Sequence, residues 1–169
     1  MLSALRRNTE KARLVRALYG ALTSQARQRG FFAELGVADS IDGRFDLVAL
    51  HAWLVLERLQ ACGLDDVARA LSDSLFVGFD EALRDLGAGD MGMGRKIRQM
   101  GDALNGRVHA YAAASDESEL ADAILRNVYR GNPERREDSW ALARYAASAR
   151  KALSACDPRS GTLNFGPLP

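Results

Sequence analysis

At 169 residues, 47% apolar and 27% charged, the chain has the size of one ordinary domain. It can bury a core without disulfide or metal staples, and it is too apolar for wholesale disorder. A formal charge of +1 argues against nucleic acid as the main partner, since domains devoted to it carry a marked basic excess.

Alanine, leucine and arginine number 28, 23 and 20, against 14 for valine, isoleucine and threonine together. All four prolines lie at position 133 or beyond. Helix formers abound where strand formers are scarce. The expected fold class is all-α, one compact domain of about six or seven helices around a central apolar helix. Residues 1–155 are assigned to the helical domain and 156–169 to an irregular C-terminal tail.

In chain order, residues 1–30 carry seven Lys/Arg and one Glu with no long apolar block, which is not a secretory signal. An Arg-rich, acid-poor start resembles an organelle transit peptide, but the segment is read as a basic first helix of the mature fold. Asn8 or Thr9 is the expected cap, with Ala12, Val15, Leu18, Tyr19, Leu22 and Ala26 on one face. Phe31 to Leu35 predicts a short helical turn closed by Gly36, and Asp39, Ser40, Asp42 and Gly43 a turn that caps the next helix. Residues 44–61 are apolar on nearly every side, the mark of a helix surrounded by others. Their most apolar stretch, Leu47 to Leu59, is interrupted by His51, Glu57 and Arg58 and is too short to span a bilayer.

Gly63 ends that helix, and Asp65 or Asp66 starts another, with Val67, Leu71, Leu75, Phe79, Leu83 and Leu86 in register and a bend expected at Gly78. The glycine-rich stretch Gly87 to Gly94 breaks the pattern. From Arg95 onward, Ile97, Met100, Leu104, Val108 and Tyr111 resume helical spacing. Gly101 and Gly106 weaken that helix by about 1 kcal/mol each unless something packs closely there. Ser115 or Asp116 caps a short helix expected to run through Arg130, and a last helix is expected from Ser139 to Ala155. Beyond Asp157-Pro158 the tail is loose or docked.

Charge is segregated. Residues 1–30 sum to +6, 31–90 to −8, 91–110 to +3, 111–125 to −4 and 126–151 to +4. Two readings stand at this point. Either the first helix, Arg95-Lys96-Arg98 and Arg126/Arg130/Arg135/Arg136 converge into a basic face, or they neutralise the acidic middle helices.

Catalytic and metal signatures are weak. Cys62 and Cys156 stand alone, which points to a reducing compartment and neither a zinc site nor a disulfide framework. His51 has Asp46 and Glu57 nearby in sequence but no HExxH or ExxH spacing, so a hydrogen-bonded core histidine is the expectation. His109 is similarly isolated. No GxSxG turn presents a nucleophile, and Cys62 sits at a helix C-terminus, where the dipole disfavours a thiolate. The run from Gly87 to Lys96 fails the phosphate-loop spacing and follows a helix, not a strand. It is better read as a turn that sets Met91 and Met93, adaptable thioethers, beside Arg95, Lys96 and Arg98. The alternative is an ordinary loop whose methionines fill the core. No metal and no cofactor is expected.

Several ordered blocks then become recognisable together: Tyr19-Gly20 with Gln25-Ala26-Arg27, Phe32 to Gly36, and Asp42-Gly43-Arg44-Phe45-Asp46-Leu47 leading to His51-x-Trp53-Leu54. They continue through Leu71 to Phe76, Leu83 to Gly87, Gly89 to Lys96, Gly106-Arg107 with Tyr111, and Asn127-Val128-Tyr129. From about Tyr19 to about Tyr145 the chain resembles the ubiquinol–cytochrome c chaperone family, assembly factors of the cytochrome bc1 complex (respiratory complex III). The chain is short and looks like a bacterial rather than a mitochondrial member.

The resemblance implies a non-enzymatic chaperone that binds newly synthesised cytochrome b near the ribosomal exit and works with a small partner protein. Its place would be the cytoplasm, peripheral on the inner membrane, or the matrix in a mitochondrion. On this reading Phe31, Phe32, Met91 and Met93 supply apolar contact, and Arg95, Lys96, Arg98 and Arg107 electrostatic anchoring. The rivals are a ribosome- or RNA-associated module using the basic segments and an acid/base enzyme centred on His51.

Overall fold

The computed structural model describes residues 2–85 and 93–168, with side chains from 6 to 81 and from 94 to 168. Those residues form helices α1 (Leu2–Ala26), α2 (Arg29–Ala33), α3 (Ile41–Ala61), α4 (Asp65–Asp85), α5 (Met93–Ala112), α6 (Glu117–Asn127) and α7 (Arg136–Ser154). Short 3-10 turns lie at Pro133–Arg135 and Pro158–Ser160, and no strand occurs among the described residues.

α3 is the axis of the bundle. Every residue from Phe45 to Val55 is buried, because α1, α4, α5 and α7 pack around it. Leu47, Leu50, Leu54 and Leu59 from α3 meet Leu18 and Leu22 of α1, Leu71 and Leu75 of α4, Leu104 of α5 and Leu142 of α7 in one continuous core. Its start is set locally: the Ser40 hydroxyl accepts from the Gly43 amide at 3.1 Å, and Asp42 sits in the first turn where the helix dipole favours an anion. Gly43 leaves room for the backbone to fold back, since a Cβ there would stand 2.0 Å from the Ala38 carbonyl oxygen. At the other end Gly63, at φ +67°, donates to Gln60 while Leu64 donates to Leu59, the paired closure of a Schellman motif.

Several expected boundaries move. α1 begins at Leu2, so Asn8 and Thr9 lie inside it and not at its start. α4 runs unbroken through Gly78; the missing side chain makes room for the Tyr19 hydroxyl of α1, 2.2 Å from where a Cβ would sit. The Gly87–Gly94 stretch lies outside the described residues up to position 92, and α5 already includes Met93 and Gly94. α6 stops at Asn127 instead of Arg130, and α7 starts at Arg136 instead of Ser139. Ser139 is buried and its hydroxyl donates to the Arg136 carbonyl, so it is an interior residue and no cap. α6 is capped as expected by Asp116, which accepts from Glu119, while Glu119 reaches back to the Ser115 amide and hydroxyl.

The C-terminal tail is docked. Phe165 is buried with its ring 5.4 Å from that of His51, and the Arg159 guanidinium donates to the Cys62 carbonyl at 3.0 Å.

The two glycines of α5 separate into different cases. A Cβ at Gly101 would lie 2.6 Å from the Phe76 ring of α4, so this glycine permits close helix approach. A Cβ at Gly106 meets nothing within 4 Å. Gly106→Ala is therefore expected to raise stability by about 0.5–1 kcal/mol. Gly101→Ala is expected to lower it by about 1–3 kcal/mol through overpacking. Paired urea denaturation curves measure both.

Candidate functional site

Two titratable side chains, Asp46 and His51, lie in the fully buried stretch of α3, and each must find a partner or destabilise the fold. His51, with no exposed surface, does so inside the core. Its Nδ1 lies 2.7 Å from the Leu47 carbonyl, which can only accept, so Nδ1 carries the proton. Nε2 then accepts from the Tyr145 hydroxyl at 2.8 Å, and that hydroxyl accepts from the Gln25 amide at 3.0 Å. Burial pulls the imidazole down from 6.5 to about 4, against the opposing effect of the Leu47 carbonyl. The histidine is neutral at pH 7 and spans α1, α3 and α7. The acid/base reading requires an accessible His51 beside a carboxylate; its observed partners are a carbonyl and a phenol.

Asp46 has no exposed surface either. Its Oδ1 accepts from Arg107 Nε of α5 at 2.7 Å, and Arg130 Nη1 approaches Oδ2 to 2.9 Å. Oδ2 has that ion pair without an aligned hydrogen bond, and Arg130 Nη1 is also bonded to the Asn127 carbonyl. Burial pushes the carboxyl of Asp46 up from its ordinary value, against the pull of Arg107 and Arg130. Arg130 adopts a left-handed φ of +56°, which explains why α6 ends early: the chain leaves the helix and brings this guanidinium back to α3. Burial, and then the Asp46 charge, push the Tyr111 phenol on the same seam well above its ordinary value.

Over this node lies a groove of about 410 Å³ between the start of α3 and the outer face of α5. Its apolar lining comes from Ile41, Phe45, Met100 and Ala103, and its cations from Lys96, Arg107 and Arg130. Ile41 is 56% exposed, one of few large aliphatics so placed among the described residues. Arg107 stacks over the Phe45 ring at 5.0 Å while paired to Asp46, so the node holds the groove's floor rigid.

The residues expected to bind a partner are distributed differently from the sequence reading. Lys96 and Arg107 line this groove, and Arg95 and Arg98 are exposed nearby at the start of α5. Arg107 is an internal ion-pair partner, so its charge already serves the fold. Phe31 is a correction: it has no exposed surface and packs edge-on to His51 and Tyr145, at 5.3 and 4.9 Å between ring centres. The short helix α2 turns that ring inward as a core plug. Phe32 is half-buried on another face, with Arg27, Arg29 and Arg44. Met91 lies outside the described residues, and Met93 is placed by its backbone only.

Sequence reasoning missed Asp46 as a node, Arg130 as its partner, and Ile41 with Met100 as groove lining. The one signal for Asp46 was a carboxylate inside an otherwise apolar helix, which demands a cation from elsewhere. Part of the segregated charge is neutralised within the chain: Lys11 faces Asp66 at 3.6 Å, Arg136 faces Asp122 at 3.1 Å, and Arg150 pairs with Glu57.

Among the described residues no group of three or more His, Cys, Asp or Glu is placed to hold a metal ion, and no helix is long and apolar enough to cross a membrane.

Comparison with known proteins places this architecture. No curated protein matches the chain. The crystal structure of the Cbp3 homolog from Brucella abortus is similar over 99% of this chain and 98% of that one, at 29% identity and a TM-score of 0.86. A family model described as ubiquinol–cytochrome C chaperone matches residues 33–160. That span holds Gly43, Asp46, His51, Arg107 and Tyr145, the residues that cap α3 and satisfy its buried polar groups. By this match over most of its length, the chain belongs to the ubiquinol–cytochrome c chaperone family.

Proposed function

We propose that the chain is an assembly chaperone of the cytochrome bc1 complex, that its client is newly synthesised cytochrome b, and that it makes and breaks no covalent bond. The observation that carries this reading is the family match over residues 33–160. The groove between α3 and α5 supports it physically: apolar lining with an exposed isoleucine and a half-buried methionine at a cationic edge suits a greasy segment with acidic flanks. Ile41, Phe45 and Met100 supply the apolar contact in this proposal, joined by Met91 and Met93. Arg95, Lys96 and Arg98 supply the anchoring charge. The proposed workplace is the inner-membrane face near the ribosomal exit, where a membrane client first emerges, with a small partner protein in attendance.

Affinity capture from the native host tests this reading. Cytochrome b is expected to co-purify with the wild-type chain. A variant carrying Arg95→Glu, Lys96→Glu and Arg98→Glu is expected to recover it about fivefold less, since reversing rim charges weakens encounter and orientation. Unchanged recovery rules out the anchoring role, and absence of cytochrome b from the wild-type capture rules out the client.

A further inference from the structure

We propose that the concavity between the end of α1, α2 and the start of α3 is a binding site for a phosphate-bearing ligand. It measures about 510 Å³ and shares no lining residue with the groove between α3 and α5. Three guanidiniums from separate elements line it: Arg27 just after α1, Arg29 at the first residue of α2, and Arg44 in the first turn of α3. One carboxylate, Asp39, accompanies them. It accepts from Arg44 Nε at 2.8 Å, which orients that guanidinium and leaves both of its terminal nitrogens free of any partner among the described residues. The side chains of Arg27 and Arg29 are exposed and enter no ion pair or hydrogen bond among the described residues.

Three cations against one anion leave a local excess of positive charge in a chain whose total is only +1. Such an excess, held in a concavity, attracts an anion in preference to repelling like charge on an open face. Planar guanidiniums present paired N–H donors that match phosphate oxygens two at a time, and Arg is favoured over Lys wherever that geometry matters. The site contains no lysine. The half-buried Phe32 ring forms an apolar wall beside the cations, so the ligand bears carbon next to its phosphate. A free phosphate ester and an anionic phospholipid headgroup share this chemistry.

Inorganic phosphate is titrated into the full chain while the arginine Nε–H resonances are followed by NMR. Separately, the chain is sedimented with vesicles of phosphatidylglycerol and phosphatidylcholine or of phosphatidylcholine alone. Saturable shifts at Arg27, Arg29 and Arg44 are expected. Arg27→Gln with Arg29→Gln is expected to weaken phosphate binding by about tenfold, with an unchanged unfolding midpoint because neither side chain has a partner to lose. Phosphate binding without vesicle binding assigns the site to a free phosphate compound. Vesicle binding that needs phosphatidylglycerol, and that Phe32→Ala abolishes while phosphate binding persists, assigns it to a headgroup. The proposal is overturned if neither probe binds, if binding is undiminished in the double variant, or if these arginines respond only to an RNA oligonucleotide. None of these outcomes depends on whether cytochrome b is the client.

Discussion

Arg107→Ala is expected to lower the stability of the fold by about 3–5 kcal/mol at neutral pH, the cost of leaving a buried carboxylate without its main partner. Asp46 has no exposed surface, and its remaining neighbour, Arg130, is half-exposed and gives Oδ2 no aligned hydrogen bond. Asp46→Asn in the Arg107→Ala background is expected to restore about half of the loss, because the amide removes the buried charge while keeping the shape. The loss is also expected to shrink in acid. Burial already holds the Asp46 carboxyl above its ordinary 3.8 with both arginines present, and removing one drives it higher. A folded pKa above the unfolded one means that the native state keeps a proton the unfolded chain has released. Stability then falls as pH rises from 3.8 through the folded value. Urea denaturation of wild type and Arg107→Ala at pH 7 and pH 4.5 reads the effect; a gap of equal size at both would show that Asp46 protonation is not coupled to folding.

His51 gives the second large effect, with the opposite sign. Its folded pKa of about 4 lies below the ordinary 6.5. The stability it contributes is fully present above pH 6.5 and is lost as pH falls through 4. At about 1.4 kcal/mol per unit, the full span is worth about 3 kcal/mol. Burial raises the Asp46 carboxyl and so acts on stability in the opposing direction, and the diagnostic quantity is therefore the difference between wild type and His51→Gln. That difference is expected to be largest near pH 7 and to shrink toward pH 4, measured from denaturation midpoints across the range. A glutamine variant whose stability runs parallel to wild type from pH 7 to pH 4 would mean that the imidazole is not held neutral by the core.

The order of helices and the central place of α3 were legible because helical periodicity and an all-round apolar pattern are local properties of the chain. Caps at Ser40 and Asp116 were legible for the same reason, since a cap involves residues three apart. The end of α6 and the start of α7 were not. Arg130 leaves helical geometry to reach Asp46, which lies far away in sequence, and no local pattern near Arg130 announces it. Gly78 looked like a bend because glycine weakens isolated helices; it is a notch for Tyr19, a fact about the neighbouring helix. Phe31 and Phe32 are adjacent and chemically identical, yet one plugs the core beside His51 and the other lines a cationic concavity.

By itself the sequence determined an all-helical domain built on an apolar axis, a buried histidine without metal-ligand spacing, and the family whose ordered blocks it carries. The tertiary structure alone decided which charges are spent inside the fold and which stay free outside it. Helix formation depends on neighbours along the chain, whereas the fate of a charge depends on what packing brings within a few ångströms of it. Arg107 and Arg130 are drawn in to neutralise Asp46, while Arg27 and Arg29 are left facing solvent.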